Sequence, residues 1–518
     1  MCLAPGPHAS DRHYRRQHGQ PEERRPKAIA GTAPAPGLAL ADPGVSSTIC
    51  RVLFNSLPFL YLFLPITYFV FWRLNTKNQR YFWLTLTGYV FYGFWNYKFC
   101  ALMAFSTAVS YLAGLGFLRW SGPEHRRQRK LCLVVPIVID LALLGFFKYF
   151  NFTLETVNAT GRLLGLDVQA PRFDVILPIG ISFYTFHTIS YIVDSYRGVI
   201  RPTRNLFEFS CYVSLFSQLV AGPIVRFRQI EEDLDNIGDK DRPTDSHLGW
   251  SFFMIGLIKK VLIADSIAAV IDPALSSSST LTFGQAWLCA LGYTYQLYFD
   301  FSGYSDMAVG LGYLFNIRIP QNFNSPYKAD GIADFWRRWH ISLSSCLRDY
   351  VYIPLGGNRK GTTRTYVNLL LTMGIGGLWH GANWTFVIWG IYHGALLSLE
   401  RLMKPAIGFI PKLMRQAITF ILIVVGWVVF RAENLDMAGR WLAAMFVPTD
   451  AFIARMPGQL GLTLLLLIAG LIAHMGRNTF EMKHRWSTPT GAAMTLLFLA
   501  ALFSVTAGQP SPFLYFQF

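Results

Sequence analysis

Two histidines carry the strongest chemical signal in this chain. His340 follows the run FWRRW in GIADFWRRWHISLSSCLRDYVYIPLGGNRKG, and His380 lies within TTRTYVNLLLTMGIGGLWHGANWTFVIWGIY, an otherwise apolar stretch. Imidazole accepts and returns a proton near neutral pH better than any other side chain. An ionisable group held in hydrocarbon costs free energy, so its presence marks a functional position by default. The plain alternative is a neutral imidazole that bonds a neighbouring helix and aids packing. Gly376 and Gly377 before His380, with Trp379, Gly381 and Trp384 around it, weigh against that alternative. Small residues let backbones approach closely, and large rings can wall a narrow channel.

The neighbours of these histidines suggest further roles. Trp336, Arg337 and Arg338 directly precede Trp339 and His340. A guanidinium fork matches phosphate, so this trio suits an anionic donor, or else anchors the chain at the membrane interface. Asn383 and Trp384 are weaker candidates for donating to an oxyanion. Ser344, Ser345 and Cys346 lie close to His340, but their spacing imposes no nucleophile–base geometry. Asp300 and Asp306 stand six apart in YFDFSGYSDMA and face different sides of an ideal helix, unless Gly303 breaks it. They either pair with Lys259 or Arg337 or line a polar path. His187 and His393 lie in apolar helices without flanking motifs and read as packing residues. No Walker A, GxSxG or HExxH pattern occurs, which weighs against nucleotidase, soluble hydrolase and zinc peptidase chemistry. The seven cysteines form no CxxC pair, so neither a metal site nor a disulfide framework is expected.

The elements that must position these groups are membrane helices. Of 518 residues, 52% are hydrophobic and only 15% charged, an integral membrane composition. The net charge of +16 sits mostly in loops between apolar runs. Orientation by basic cytoplasmic loops explains it better than nucleic-acid binding, which is not expected. An all-α, multi-pass fold with about eleven to thirteen crossings results. A hairpin is expected to turn at Asn96-Tyr97-Lys98, and a span to run from Phe173 to Val193. Loops 73–80, 119–130, 195–205 and 476–486 are expected on the cytoplasmic side, and 151–172 outside. The run 210–225 contains Gly222-Pro223 and reads as a re-entrant or broken helix. From Asp334 to Tyr350 the pattern is helical but half polar. Phe335, Trp339, Leu343 and Leu347 share one face, as suits an interfacial or re-entrant helix. The next apolar run starts near Tyr366 and carries His380 about 20 Å along, toward the outer half of the bilayer. That reading places His340 near the inner interface, to meet a charged donor. Residues 1–51 are rich in Pro, Arg and Ala and match nothing that follows. They read as a disordered or spurious extension, with the true start at Val52 and a single membrane domain from 52 to 518.

The stretches DFWRRWHISLSSCLRDYVYIPLGGNRKG and GGLWHGANWTFVIWG resemble the membrane-bound O-acyltransferase family. LFNSLPFLYLFLP, LVAGPIVR, YFDFSGYSDMA and PFLYFQF extend the likeness from about Val52 to Phe518. Within the family the likeness is to the branch that acetylates bacterial exopolysaccharides such as alginate. The resemblance implies helices around a polar tunnel, His380 as the catalytic residue and His340 as a second histidine of this branch. It also implies acetyl transfer from a cytoplasmic thioester such as acetyl-CoA, with no tightly bound cofactor. The acceptor would be a polysaccharide reached across the bacterial inner membrane with the help of periplasmic acetyltransferase partners. Relatives acting on teichoic acid, cellulose or peptidoglycan share the core, so the acceptor stays open. A polysaccharide transporter or channel is the competing class. It requires two related halves with interrupted helices in matching places, and no such internal symmetry is visible.

Overall fold

The computed structural model describes residues 53–239, 244–276, 281–448, 456–508 and 513–514. The expected boundary between residues 51 and 52 lies outside them. Among the described residues the architecture is all-helical, with no strand. A lipid-embedded backbone must satisfy its own N–H and C=O groups, and helices do so within one segment. Four helices are long and apolar enough to cross a bilayer by length and composition: Lys98–Arg119, Pro123–Leu163, Lys412–Arg431 and Thr488–Ala507. Two shorter apolar helices, Phe59–Arg73 and Gln459–His474, accompany them.

Local chemistry sets the ends of these elements. Thr76 and Gln79 form a capping box that opens Lys77–Asn96, and Thr282 and Gln285 form another that opens Phe283–Leu314. Each side chain satisfies a backbone N–H that the first helical turn leaves free. The hairpin expected at Asn96-Tyr97-Lys98 is present, with only Tyr97 between its helices. The broken helix expected over 210–225 is also present, as Leu206–Ser214 and Phe216–Leu219.

Two expectations fail for identifiable reasons, and one open possibility is not realised. The expected span 173–193 becomes helical only at Ile181, because Pro178 and left-handed Gly180 hold the preceding chain out of helical register. The outer loop expected over 151–172 is helical as far as Leu163, continuing the helix before it through a π-turn at Gly145–Tyr149. Gly303 does not break its helix, for Phe283–Leu314 runs unbroken through 32 residues.

That long helix is the central post of the fold, buried on nearly every face from Tyr293 to Gly312. Gly303 serves packing instead. A Cβ there would lie 2.7 Å from the Gly256 carbonyl oxygen, so the glycine lets the post touch the backbone of Ser246–Ile258. Lys259 and Lys260 then pair with the post's carboxylates, at 2.6 Å to Asp306 and 2.5 Å to Asp300. The outermost helices carry the apolar surface, as with Leu496 and Phe503 on Thr488–Ala507.

Gly303→Val should force these two helices apart. We expect a loss of about 1–3 kcal/mol, the usual cost of overpacking, read as a lower melting temperature in detergent. Gly439→Ala is the control, because a Cβ there meets nothing within 4 Å. It should be neutral or stabilise by up to about 1 kcal/mol; equal melting of both variants would contradict this packing account.

Candidate active site

His380 is the last residue of the helix Thr362–His380, which folds back at once into Trp384–Ile407. Its place is therefore a helix terminus at the tip of a hairpin, and not the interior of a span. The two helices are the most extensively packed pair in the fold. Gly377 makes the contact possible, since a Cβ there would lie 2.1 Å from the Phe386 carbonyl oxygen. A helix end leaves backbone carbonyls without partners, which is costly away from water. Here Tyr149 donates its hydroxyl to Leu378 O at 2.9 Å. Lys148 Nζ lies 2.5 Å from Trp379 O and 3.1 Å from His380 O. Three successive carbonyls are thus satisfied by two neighbouring side chains. A cation at a helix C-terminus also complements the helix dipole. Both side chains stand on or beside the π-turn Gly145–Tyr149, a distortion that often re-aims side chains at functional sites.

His340 arrives from a different direction. The helix expected over Asp334–Tyr350 is broken into Ile332–Arg338 and Ile341–Leu347, with Trp339 and His340 between them. His340 adopts left-handed φ of 43°, a strained conformation for a residue with a Cβ. The segment 322–324 holds the break in place. Asn324 N–H donates to Arg338 O and Ile341 N–H donates to Asn322 O, each at 2.9 Å. Beyond the second short helix, Asp349 pairs with Arg226 at 2.6 Å. Burial opposes the Asp349 carboxylate, but hydrogen bonds from Arg348 and Arg226 hold its pKa below the usual range.

The two histidines meet. Their ring centroids are 6.5 Å apart, and both residues are buried. The expectation that they lie at opposite depths of the membrane is therefore corrected, because the break at His340 folds its ring inward to the tip of the hairpin. Aromatic side chains enclose the pair. His380 contacts Trp379 at 5.1 Å and both Trp389 and Phe430 at 5.2 Å, while His340 sits 4.8 Å from Phe301. Phe513, near the end of the chain, stacks on Tyr304 at 4.7 Å and lies 5.5 Å from Phe301. Leu514 N–H donates to the Asp300 carboxylate at 3.0 Å. Buried polar atoms without partners cluster in this wall, namely His340 Nε2 and the indole N–H groups of Trp336 and Trp389. Unspent donors and acceptors of this kind suit a chamber that receives a polar reactant.

The other candidate residues take varied places. Trp336 is in the aromatic wall, 5.7 Å from Trp389 and 5.2 Å from His393. Arg337 is exposed and has no ion-pair partner among the described residues, whereas Arg338 is held by Asp334 at 2.8 Å. Asn383 donates to Glu433 O at 2.7 Å and accepts from Thr385 N–H at 3.0 Å, so both ends of its amide are engaged. Trp384 is 47% exposed and packs on Phe152. Asp300 and Asp306 sit in separate ion pairs with Lys260 and Lys259, and neither pairs with Arg337. Ser345 Oγ donates to Ser342 O, Ser344 Oγ donates to Trp339 O, and Cys346 is buried. His187 and His393 are fully buried, with rings packed on Tyr212 and on Trp389 respectively.

A buried pair of imidazoles at the tip of a helical hairpin, inside a polytopic membrane fold, defines a class. Residues 173–432 match the membrane-bound O-acyltransferase family, and the chain belongs to it. It is thus a membrane-embedded O-acyltransferase. The chain is 42% identical over 510 residues to the "Probable alginate O-acetylase AlgI" of Azotobacter vinelandii, across 90% of this chain and all of that protein. It is 39% identical over 430 residues to the peptidoglycan O-acetyltransferase of Helicobacter pylori, across 76% of this chain and 80% of that one. To the teichoic acid D-alanyltransferase of Bacillus subtilis it is 31% identical over 242 residues, across 44% and 60% respectively.

Sequence reasoning missed Lys148, Trp389 and Asn322. Lys148 left a signal, as a single cation in the run LALLGFFKYFNF. Lys148→Met should remove the amine from the Trp379 and His380 carbonyls, at about 1–3 kcal/mol for each hydrogen bond lost. We expect a lower melting temperature and slower acyl transfer, with Lys148→Arg intermediate. Wild-type melting and rate in the Met variant would show that the amine does not hold this helix end.

Proposed function

We propose that this protein transfers acetyl groups from a cytoplasmic thioester, such as acetyl-CoA, to a hydroxyl of an exopolysaccharide such as alginate. The observation that carries this reading is the pair of buried imidazoles, 6.5 Å apart and enclosed by aromatic side chains. Acyl transfer to a hydroxyl needs a base for the departing proton and stabilisation of a tetrahedral oxyanion. His380 is the general base. His340 is the second proton-transfer group, and the free indole N–H of Trp389, whose ring touches His380, is suited to the oxyanion. Ser342 Oγ lies 3.4 Å from His340 Nδ1, but it accepts from Ile224 N–H and gives its proton to Asn322 Oδ1, which favours direct transfer without an acyl-enzyme. Arg337, exposed and without an ion-pair partner among the described residues, is the group to meet an anionic donor.

Alginate as acceptor rests on the likeness to the Azotobacter protein, which spans that relative's full length. Peptidoglycan and teichoic acid are the alternative acceptors, supported by the Helicobacter and Bacillus relatives. Because the polymer is outside the cell, the protein belongs in the inner membrane and works with periplasmic acetyltransferase partners. No tightly bound cofactor takes part; the thioester is a cosubstrate.

His380→Ala should lower acetyl incorporation by about 10²–10⁴-fold, the usual worth of a general base, at normal protein abundance. His340→Ala should also impair turnover, while Arg337→Ala should raise the donor's KM more than it lowers kcat. Normal transfer by purified His380→Ala protein would overturn the mechanism. Acceptors are separated by offering the same membranes alginate, peptidoglycan and teichoic acid fragments.

Orientation has its own test. Single cysteines in loops 119–130 and 476–486 should resist labelling from outside intact cells, because basic loops stay cytoplasmic. Labelling of 119–130 from outside would invert the proposed direction of transfer.

A further inference from the structure

The two histidines are held differently, and the difference bears on what each can do. Asn322 is 1% exposed and lies on the segment that pins the chain break at His340. Its Oδ1 is approached by three groups: Ser342 N at 3.1 Å, Ser342 Oγ at 2.9 Å and His340 Nδ1 at 3.2 Å. The first of these settles the amide's orientation. A backbone N–H can only donate, so the Asn322 atom facing it must be the oxygen and not the NH₂. The amide's other end is consistent, since Nδ2 donates to Ser305 Oγ at 3.2 Å.

The assignment propagates to the imidazole. An amide oxygen has no proton to give, so a contact between it and Nδ1 is favourable only if Nδ1 carries the hydrogen. Ser342 offers no competing arrangement of equal quality. Its hydroxyl oxygen accepts from Ile224 N–H at 3.0 Å, and its proton goes to Asn322 Oδ1 at 2.9 Å rather than to His340 Nδ1 at 3.4 Å. In the neutral ring the remaining nitrogen, Nε2, then holds the lone pair. That atom is buried and makes no hydrogen bond among the described residues.

We infer that Asn322 is a positioning residue of the transfer reaction: it fixes His340 as the Nδ1–H tautomer and leaves Nε2 as the proton-accepting atom. This deepens the acetyl-transfer reading and rests on it. His340 enters the cycle able to take a proton, and it cannot donate from Nε2 to an oxyanion until it has done so. In the balanced step the acceptor's O–H bond breaks and its oxygen bonds the acetyl carbon. The C–S bond of the thioester then breaks. The proton passes first to His380 and is shared with Nε2 of His340, and it ends on the departing thiolate. A third group that sets the tautomer of a catalytic imidazole is worth up to about 10⁴-fold in rate where it has been removed.

The test reads the tautomer directly. The full chain, labelled with ¹⁵N-histidine and reconstituted in lipid nanodiscs, is compared with His340→Gln to assign the His340 signals. Wild type should show a protonated Nδ1 and a bare Nε2 at His340. Asn322→Leu, similar in size but without an acceptor, should lose that preference. It should also lower the rate of labelled acetyl incorporation into polymer by about 10²–10⁴-fold. Asn322→Asp keeps the accepting oxygen and should stay within about tenfold of wild type. A wild-type His340 protonated at Nε2 overturns the inference, and so does full activity in Asn322→Leu when His340→Ala is inactive. Should Asn322→Leu fail to accumulate, the wild-type spectrum and Asn322→Asp decide. Full activity in both His340→Ala and His380→Ala would instead remove the transfer reading and leave the tautomer to the spectrum.

Discussion

The architecture depends on ending a helix inside the protein, away from water. His380 is useful because it terminates Thr362–His380 within the fold, and a helix terminus in such a place exposes carbonyls that nothing else in that helix can satisfy. Lys148 and Tyr149 meet this need from another helix, and they can do so because a π-turn interrupts that helix at Gly145. The same contact that makes the terminus tolerable fixes its position. Without it the tip of the hairpin would be free to fray, and the ring of His380 would lose its reference against the walls around it.

A second constraint brings His340 to the same place. Its backbone stands in the left-handed region, where a side chain is strained by about 1–2 kcal/mol. The break is held by paired backbone bonds to 322–324 and anchored further along by Arg226 on Asp349. Strain retained in a packed interior calls for a reason, and here the reason is geometric. A continuous helix would keep Trp339 on the face set by Phe335 and turn His340 about 140° away from it, at 3.6 residues per turn. Breaking the helix turns Trp339 toward Trp427, at 4.8 Å, and His340 toward His380.

Much of this was legible in sequence, and what was not legible has a physical explanation. The apolar runs, the hairpin at Tyr97 and the two histidines followed from composition and local pattern, which the membrane makes unusually informative. The family followed from long motifs. Breaks within helices did not follow, because no proline or glycine marks the turn at His340, and the periodicity of Phe335, Trp339, Leu343 and Leu347 is helical throughout. Gly303 left a break open in sequence, for a glycine in a helix serves close approach as well as fracture. Asn383 and Trp384 drew attention by adjacency to His380. Their side chains point to structural work, while Trp389, one and a half turns further on, reaches the ring. Partners from distant segments depend on tertiary folding: Lys148 shows only as a lone cation in an apolar run, and Asn322 leaves almost no local trace.

The paired charges on the central post show why the chamber can be so sparsely polar. Lys260 lies between Asp300 and Asp265, and Lys259 joins Asp306 and Thr479, so these buried ions are spent on one another. Buried pairs of this kind contribute little net stability, but removing one partner is costly, and that makes them stiff fixtures of position. They lock Phe283–Leu314 to the helices beside it, with glycine contacts bringing the backbones together. Asp300 also receives Leu514 N–H, which seats Phe513 against Tyr304 and Phe301. Phe301 in turn borders His340. The charged frame therefore reaches the site through packing and not through its own carboxylates. Asp300 and Asp306 belong to the support of the site, and the acid–base chemistry proposed here falls to two imidazoles in apolar surroundings.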